Sequence, residues 1–328
     1  MTIASPPDSG TSGRSWSGKM SRIRVVVLGG SGMLGAMVAD VLVRDPQLEV
    51  CATVRCARWL DEGRRRLPDI DWRLYVAGEE HGDSSFAGFH DVQWAVNCIG
   101  VTKPFIRDDR PDEVERAIRV NALWPHTLGR WAVSKGVRVL QIATDCVFSG
   151  MTGGYTESHP HDPLDVYGKT KSLGEVAYPG VYHLRCSIVG PEVEDGRFLL
   201  EWFRRQPPGA RVTGYANHRW NGLTTLHFAR LCLAVIRRGI ELPPVQHVIP
   251  ADVVTKAEML RIFARHFDRE DVQIVEGDAP GRVDRSLATN NPELNRLLWT
   301  EAGYAAPPTI EQMVRELSDF DFRMARQS

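Results

Sequence analysis

Apolar and polar positions follow two alternating patterns along the first 190 residues. Short apolar runs bounded by turn residues alternate with stretches whose apolar residues recur every three or four positions. The runs predict buried strands, and the stretches predict amphipathic helices. Six strands are predicted, at 25–28, 49–54, 72–76, 93–99, 137–143 and 182–189. This alternation predicts an α/β fold with a parallel, doubly wound sheet and right-handed crossovers.

The pattern becomes less regular after Gly190. Short strands are predicted at 245–249 and 272–275, and helices at 225–238, 256–266, 293–298 and 310–317. Such interrupted segments predict a smaller mixed lobe beside the sheet. Some of these segments can return to the sheet domain.

The longest helical stretch, from about Pro111 to Lys135, carries two residues that do not suit a helix interior. Pro125 lacks a backbone N–H and predicts a kink or break near Trp124. An asparagine inside a helix is unfavourable by propensity. We therefore predict that Asn121 makes a specific bond, most simply to a neighbouring backbone group.

Composition excludes several functional classes. The 328 residues have a formal net charge of -1 and 25% charged residues, without a long block of one sign. This balance predicts neither a nucleic-acid partner nor a membrane surface, and no run approaches the roughly twenty apolar residues of a membrane span. The six cysteines lack metal-ligand spacing, so no metal site is predicted and a reducing, cytoplasmic location is expected. Residues 1–21, rich in Ser, Gly and Pro, predict a disordered tail.

A glycine-rich turn joins the first predicted strand to the first predicted helix. Gly29, Gly32 and Gly35 have the spacing G-x-x-G-x-x-G. Gly29 permits a sharp turn, Gly32 lets the backbone approach a pyrophosphate, and Gly35 lets the helix pack closely on the strand. The free N–H groups of the helix N-terminus favour phosphates. The turn therefore predicts a dinucleotide site, with a purely structural turn as the alternative.

Two arginines follow the second predicted strand. Arg55 ends that strand and Arg58 lies three residues further on. An acidic residue there would bind the ribose 2′-hydroxyl of NAD, whereas arginine suits the 2′-phosphate of NADP. The sequence thus favours NADP(H) over NAD(H). The alternative is a surface arginine that opens a helix.

Tyr167 and Lys171 are the strongest candidates for chemistry. Four residues apart on one predicted helix, they share a face. A tyrosine has a reference pKa near 10, and a nearby ammonium would lower it toward neutral pH. The hydroxyl of Thr144, at the end of the preceding strand, can bond the same substrate carbonyl. Y-x-x-x-K alone is common by chance, and its meaning here comes from the glycine turn and strand end that precede it.

Together these motifs resemble the extended short-chain dehydrogenase/reductases, and within them the dTDP-4-dehydrorhamnose reductase group of nucleotide-sugar enzymes. The resemblance covers roughly residues 23–320 and depends on the segments 29–35, 97–104, 144–150, 154–157, 167–171 with Gly174 and Glu175, and 184–190. One position departs from the group's pattern. Rhamnose-pathway reductases commonly read T-D-Y-V-F, whereas this chain has Cys146 in place of the tyrosine.

The resemblance implies a role for each matching residue. Tyr167 would donate a proton to a sugar carbonyl, Lys171 would bind the nicotinamide ribose, and Thr144 would orient the carbonyl. The expected cofactor-binding residues are Gly29, Gly32, Met33, Leu34, Gly35, Arg55, Arg58, Cys98, Ile99, Gly100, Tyr167, Lys171 and Ser187. The expected substrate-binding residues are Lys103, Thr144, Asp145, Cys146, Arg197, Arg219, Trp220 and Arg285. Aromatic rings and arginines are the residue types that a nucleobase and a diphosphate require.

The sequence thus predicts an NADP-binding Rossmann domain at 22–190 and a lobe at 191–328 that mainly binds a nucleotide sugar. The expected reaction is NADPH-dependent reduction of a keto group, at C4, on a nucleotide-activated deoxysugar. An epimerase or dehydratase that retains NAD(P), and a non-catalytic cofactor-binding regulatory subunit, are the alternatives. A homodimer is left open.

Overall fold

The protein is described here by a computed structural model that covers residues 22–78, 86, 88–194 and 196–325. The predicted tail at 1–21 lies outside these residues. The strands are β1 (Ile23–Leu28), β2 (Leu48–Val54), β3 (Asp71–Leu74), β4 (Trp94–Asn97), β5 (Arg138–Ala143), β6 (Val181–Arg185), β7 (Ile188–Val189), β8 (Arg211–Tyr215), β9 (His218–Trp220), β10 (Leu223–Thr224), β11 (Val245–His247), β12 (Val254–Thr255), β13 (Gln273–Gly277) and β14 (Val283–Asp284). The helices are α1 (Met33–Val43), α2 (Ala57–Arg66), α3 (Pro111–Ala117), α4 (Trp124–Lys135), α5 (Val166–Leu173), α6 (Leu199–Arg204), α7 (Thr225–Arg238), α8 (Lys256–His266), α9 (Pro292–Glu301) and α10 (Ile310–Ser318).

A seven-stranded parallel sheet, in the order β11-β6-β5-β4-β1-β2-β3, forms the centre of the molecule. The strand order reverses between β1 and β4, and such a switch point is where open α/β sheets bind ligands. This arrangement confirms the predicted doubly wound α/β class. The seventh strand, β11, was predicted as a strand but not as a member of this sheet.

Three small sheets lie outside the central sheet: β10-β7, β12-β9-β14 and β13-β8. The single strand predicted at 182–189 is divided between β6, in the central sheet, and β7, which pairs with β10. The chain changes sheets at Ser187, whose carbonyl accepts a bond from the Leu223 N–H at 2.8 Å. A Cβ on Gly222 would come within 2.3 Å of the same carbonyl oxygen, so glycine is needed for this close approach.

The predicted break in the long helix is confirmed and takes the form of a π-helical segment, Ile118–Leu123, between α3 and α4. Pro125 lies in the first turn of α4, where a missing N–H does little harm. The side chain of Asn121 accepts a bond from the Val101 N–H and donates one to the Val101 carbonyl, both at 2.8 Å. The predicted backbone partner of Asn121 is therefore confirmed.

The last described residues pack against two helices that flank the central sheet, α1 and α2. The backbone N–H and guanidinium of Arg323 donate to the carboxylate of Asp40, which is fully buried on α1. The guanidinium of Arg66 donates to the backbone carbonyls of Met324 and Ala325. These contacts attach the end of the described chain to α1 and α2. Within the described ranges, no helix combines the length and apolar character needed to cross a bilayer.

Candidate active site

The glycine turn between β1 and α1 has the geometry expected for a pyrophosphate cradle. Gly29 has a φ of 88°, which L side chains rarely adopt. A Cβ on Gly35 would lie 2.1 Å from the Gly29 carbonyl oxygen, whereas one on Gly32 would meet only that oxygen at 3.5 Å. No side chain caps α1 at Gly32, and its first turn holds no acidic residue. Met33 and Leu34 begin this helix, so backbone N–H groups here fit a dinucleotide phosphate.

The loop after β4 lies directly beside this turn. A Cβ on Gly29 would come within 2.9 Å of the Ile99 side chain, and one on Gly100 would contact the Asn121 carboxamide. Cys98 lies close enough to the Lys171 ammonium to influence the pKa of Lys171. Residues 98–100 therefore connect the cradle to the Tyr167 helix.

The two arginines after β2 are both exposed. Arg55 follows the last residue of β2, on the strand next to the glycine turn. Arg58 forms an ion pair with Glu194, its guanidinium nitrogen 2.5 Å from the carboxylate oxygen. Arg58 thus has a protein partner in the loop after β7, whereas Arg55, at the strand end, forms no ion pair among the residues that the structure describes.

Thr144 lies at the carboxyl end of β5, where it caps a short 3-10 turn, Asp145–Val147. Its hydroxyl accepts a bond from the Cys146 N–H at 3.1 Å and donates one to the Asp145 carboxylate at 3.2 Å. Thr144 and Asp145 are buried, with 7% and 8% of their surface exposed. This turn places three predicted substrate-binding residues at one edge of the sheet.

Helix α5 brings Tyr167 and Lys171 against that turn. Asp165 caps the helix by accepting the Gly168 N–H at 2.8 Å. A Cβ on Gly168 would come within 2.2 Å of the Cys146 carbonyl oxygen, so glycine permits the helix to lie this close. The ammonium of Lys171 donates to the carbonyl of Ile142, on β5, at 3.0 Å.

The protonation of this pair differs from the expectation that Lys171 lowers the Tyr167 pKa. Burial, with the neighbouring Cys146, raises the pKa of Tyr167, although the hydroxyl of Thr144 lowers it. The expectation fails because Lys171 is engaged elsewhere, with Ile142 and with the charges of Glu175 and Cys98. Burial lowers the pKa of Lys171 to about 8. At neutral pH the phenol therefore keeps its proton and can donate it, while the ammonium of Lys171 stays charged.

Residues after Gly190 bring two cations to the Thr144 turn. Arg285 donates to the carbonyls of Phe148 and Ser149, at 2.9 and 3.2 Å, and its charge acts on Asp145. Lys256, which sequence reasoning missed, also acts on Asp145, and its ammonium lies 5.6 Å from the centre of the Trp220 ring. A signal was present in the sequence, since a lysine directly after a helix-capping threonine opposes the helix dipole.

Of the remaining predicted substrate residues, Lys103 lies at the edge of this cluster, and Arg197 and Arg219 make contacts elsewhere. The Lys103 ammonium pairs with the Asp165 carboxylate at 2.6 Å, at the start of α5. Arg197 stacks on the Phe105 ring at 5.0 Å, and Arg219 lies 3.8 Å from the carboxylate of Asp284. Ser187 lies where the chain leaves the central sheet. The structure therefore brings Thr144, Asp145, Cys146, Tyr167, Lys171, Trp220 and Arg285 together and leaves Arg197 and Arg219 in other contacts.

The sequence is similar to one protein family and to several characterised proteins. Residues 23–285 match the family model described as the RmlD substrate binding domain. A dTDP-4-dehydrorhamnose reductase of Mycolicibacterium smegmatis is 25% identical over 73% of this chain and 67% of its own length. One from Streptomyces griseus is 33% identical over 48% of this chain and 45% of its own. The methionine adenosyltransferase 2 subunit beta of Mus musculus is 29% identical over 52% of this chain and 48% of its own length. The chain thus spans about half the length of the latter two relatives.

Solved structures show the same fold. A dTDP-4-dehydrorhamnose reductase from Clostridium acetobutylicum superposes with a TM-score of 0.67 at 20% identity, covering 90% of this chain and 99% of that one. The Bacillus anthracis enzyme of that name, solved in complex with NADP, gives a TM-score of 0.68 at 17% identity and covers 90% and 98%. The Bordetella bronchiseptica enzyme WbmG, in complex with NAD, gives a TM-score of 0.70 at 18% identity, and the superposition covers 94% of this chain and 97% of that one.

Proposed function

Because the chain belongs to the RmlD substrate binding domain family, we propose that it is an NADPH-dependent reductase acting on a keto group, at C4, of a nucleotide-activated deoxysugar. The observation that carries the proposal is the position of Thr144, Tyr167 and Lys171. The three residues lie at the carboxyl edge of the sheet, on the same side as the glycine cradle. Relatives named dTDP-4-dehydrorhamnose reductase support the same class of substrate.

The side chains divide the work of carbonyl reduction. When bound, NADPH supplies the hydride that reduces the carbonyl carbon. Tyr167 donates its phenolic proton to the carbonyl oxygen, so that the ketone becomes a hydroxyl. The Thr144 hydroxyl, at the same edge of the sheet, hydrogen-bonds the same oxygen and holds it in place. A Lys171 ammonium released from the Ile142 carbonyl would favour the phenolate that proton transfer leaves.

The preference for NADP(H) rests on Arg55. Its exposed guanidinium follows β2, the strand whose end faces the adenosine ribose in dinucleotide-binding folds. Arginine binds a 2′-phosphate through charge-assisted hydrogen bonds. Arg58 is a weaker candidate for binding the 2′-phosphate, because it is paired with Glu194.

A second candidate function is a cofactor-binding regulatory subunit. The observation that favours it is the similarity to methionine adenosyltransferase 2 subunit beta. Such a subunit would bind NADP(H) without reducing a sugar. The intact set of Thr144, Tyr167 and Lys171 favours the reductase.

The test is a screen of dTDP-, UDP-, GDP- and CDP-linked 4-keto-6-deoxysugars, with NADPH absorbance and the product's NMR spectrum as readouts. A reductase consumes one NADPH for each sugar reduced. An epimerase or dehydratase converts a sugar without net loss of NADPH. Binding of NADPH without conversion of any compound would favour the regulatory subunit.

A further inference from the structure

Arg185, the last residue of β6, places its guanidinium inside the protein, with 1% of its surface exposed. Its nitrogens donate to both carboxylate oxygens of Glu175, the second residue after α5. The guanidinium also donates to two histidines, His247 on β11 at 2.6 Å and His161 in the loop before α5 at 2.8 Å. A buried cation is thus satisfied by acceptors from three segments that meet beside α5.

These contacts decide the protonation of both histidines. Arginine has only donors and keeps its charge. The Nε2 atom of each imidazole must therefore accept, which leaves the ring neutral with its proton on Nδ1. The Nδ1 of His161 lies 2.7 Å from the hydroxyl of Ser172, on α5, and that of His247 lies 2.7 Å from the carbonyl of Ala288. Neutral His161 thus forms a bridge from Arg185 to α5.

The network contacts α5 and its C-terminal end close to Lys171. Ser172, which bonds to His161, is the next residue, and Glu175 follows four residues after Lys171. Tyr167 lies one turn earlier on the same helix. A shift of α5 at these contacts therefore moves both the phenol and the ammonium, and a misplacement of about 1 Å can cost about 100-fold in rate.

We propose that neutral His161 positions Tyr167 and Lys171 for catalysis. It acts through the bridge from Arg185 to Ser172. Protonation of Nε2 turns the acceptor into a donor that faces the donating guanidinium, so the bridge breaks and α5 loses this support. The inference rests on the proposed function and deepens it, because it makes reduction at the same site depend on one further proton.

The charged groups that face His161 come from three segments. Burial disfavours the protonated ring, and Arg185 repels it, whereas Glu175 and Asp162 attract it; the net result is a lowered pKa of His161. The nearer carboxylate oxygen of Glu175 is 3.6 Å from Nε2, but this carboxylate is already bound by Arg185. Burial and Arg185 lower the pKa of His247 to about 4, so this ring stays neutral when His161 titrates.

Two variants of the full-length protein test the bridge. His161→Leu removes both ring nitrogens and leaves a guanidinium donor unpaired, so we expect kcat/KM at pH 7.5 to fall about 10- to 100-fold. His161→Gln restores an acceptor and a donor, and its amide does not titrate between pH 5 and 8. It should recover most of the activity lost in His161→Leu.

The pH profile separates positioning from a merely structural role. Below the pKa of His161, kcat/KM of wild type should fall about tenfold per pH unit. His161→Gln should lack this decline. His159→Gln, at an exposed position in the same loop, is the matched control and should keep it. Nitrogen-15 NMR of wild type should show an unprotonated Nε2 in His161 at pH 7.5 and the same titration midpoint as kcat/KM.

Several results would overturn this role. They are wild-type activity in His161→Leu, an equal loss at every pH in both His161 variants, a decline that persists in His161→Gln, and a protonated Nε2 at pH 7.5. If wild type reduces no sugar, the reductase proposal fails separately, and calorimetric binding of NADP⁺ replaces kcat/KM. Wild type should then lose affinity between pH 7.5 and pH 5 more steeply than His161→Gln. Parallel losses, or no binding by wild type, would contradict the role of His161.

Discussion

The two sides of the candidate site are built in different ways. On the cofactor side, the phosphate cradle is one contiguous segment, in which Gly29, Gly32 and Gly35 shape the backbone itself. The proposed sugar side draws on Trp220, Lys256 and Arg285, on three segments that meet because β9, β12 and β14 form one small sheet. A dinucleotide phosphate is recognised by main-chain N–H groups, so its site can be local in sequence. A sugar is recognised by side chains, which can come from anywhere that the fold brings together.

Tyr167 lies between the two sides, and its removal should give the largest effect. Tyr167→Phe deletes the proton donor, so we expect kcat to fall about 10²- to 10⁴-fold, the usual contribution of general acid catalysis. NADPH affinity, measured by fluorescence titration, should be unchanged. Tyr178→Phe is the control, because Tyr178 packs on Gly129 of α4, away from the site. Near-wild-type turnover in Tyr167→Phe would remove the assigned donor.

Gly35→Ala tests whether the cofactor side depends on backbone shape. The added Cβ would lie 2.1 Å from the Gly29 carbonyl oxygen, so the helix or the turn must shift. We expect at least about 100-fold weaker NADPH binding, or roughly 2.7 kcal/mol. Gly281→Ala is the control, since its Cβ would meet nothing within 4 Å. Wild-type affinity in Gly35→Ala would show that the turn is not the cradle.

Arg55→Asp tests the one side chain on which the cofactor preference depends. Loss of a charge-assisted bond to the 2′-phosphate should weaken NADPH binding about 10- to 100-fold while leaving NADH nearly unaffected. The ratio of the two dissociation constants is the measurement. Arg64→Asp, exposed on α2, should leave that ratio unchanged. A ratio unaltered by Arg55→Asp would contradict the preference for NADP(H).

The pH profile gives the smallest effect and separates two lysines, one on each side. The pKa of Lys171 is lowered to about 8, so its charge is present below that pH and is lost as the pH rises through it. The raised pKa of Tyr167 keeps its proton throughout this range. We therefore expect kcat/KM for reduction to fall about tenfold per pH unit above pH 8.

Lys256, whose pKa is also lowered to about 8, could give the same profile. Lys256→Met distinguishes them. The decline should persist in that variant if Lys171 causes it, and a flat profile would assign it to Lys256 instead.

Features that depend on residues close together in the sequence could be predicted, whereas features that depend on distant residues could not. The doubly wound sheet could be predicted because strands and helices alternate locally, and α7 and α8 have the predicted bounds. The split of the strand at Ser187 could not, because it depends on the close approach of Gly222, 35 positions away. The approach of Lys256 to the Trp220 ring could not be predicted either, because it depends on the pairing of β12 with β9.

The attachment of Arg323 to Asp40 joins groups 283 positions apart. Asp40 has a nearer partner in Arg44, one helical turn away, but the bonds from Arg323 cannot form until almost the whole described chain has been synthesised. Contacts of such long range close late and slow folding. The contacts that cover α1 are thus among the last to form in the nascent protein. A truncation at residue 318 would remove Arg323 and leave Asp40 without this partner.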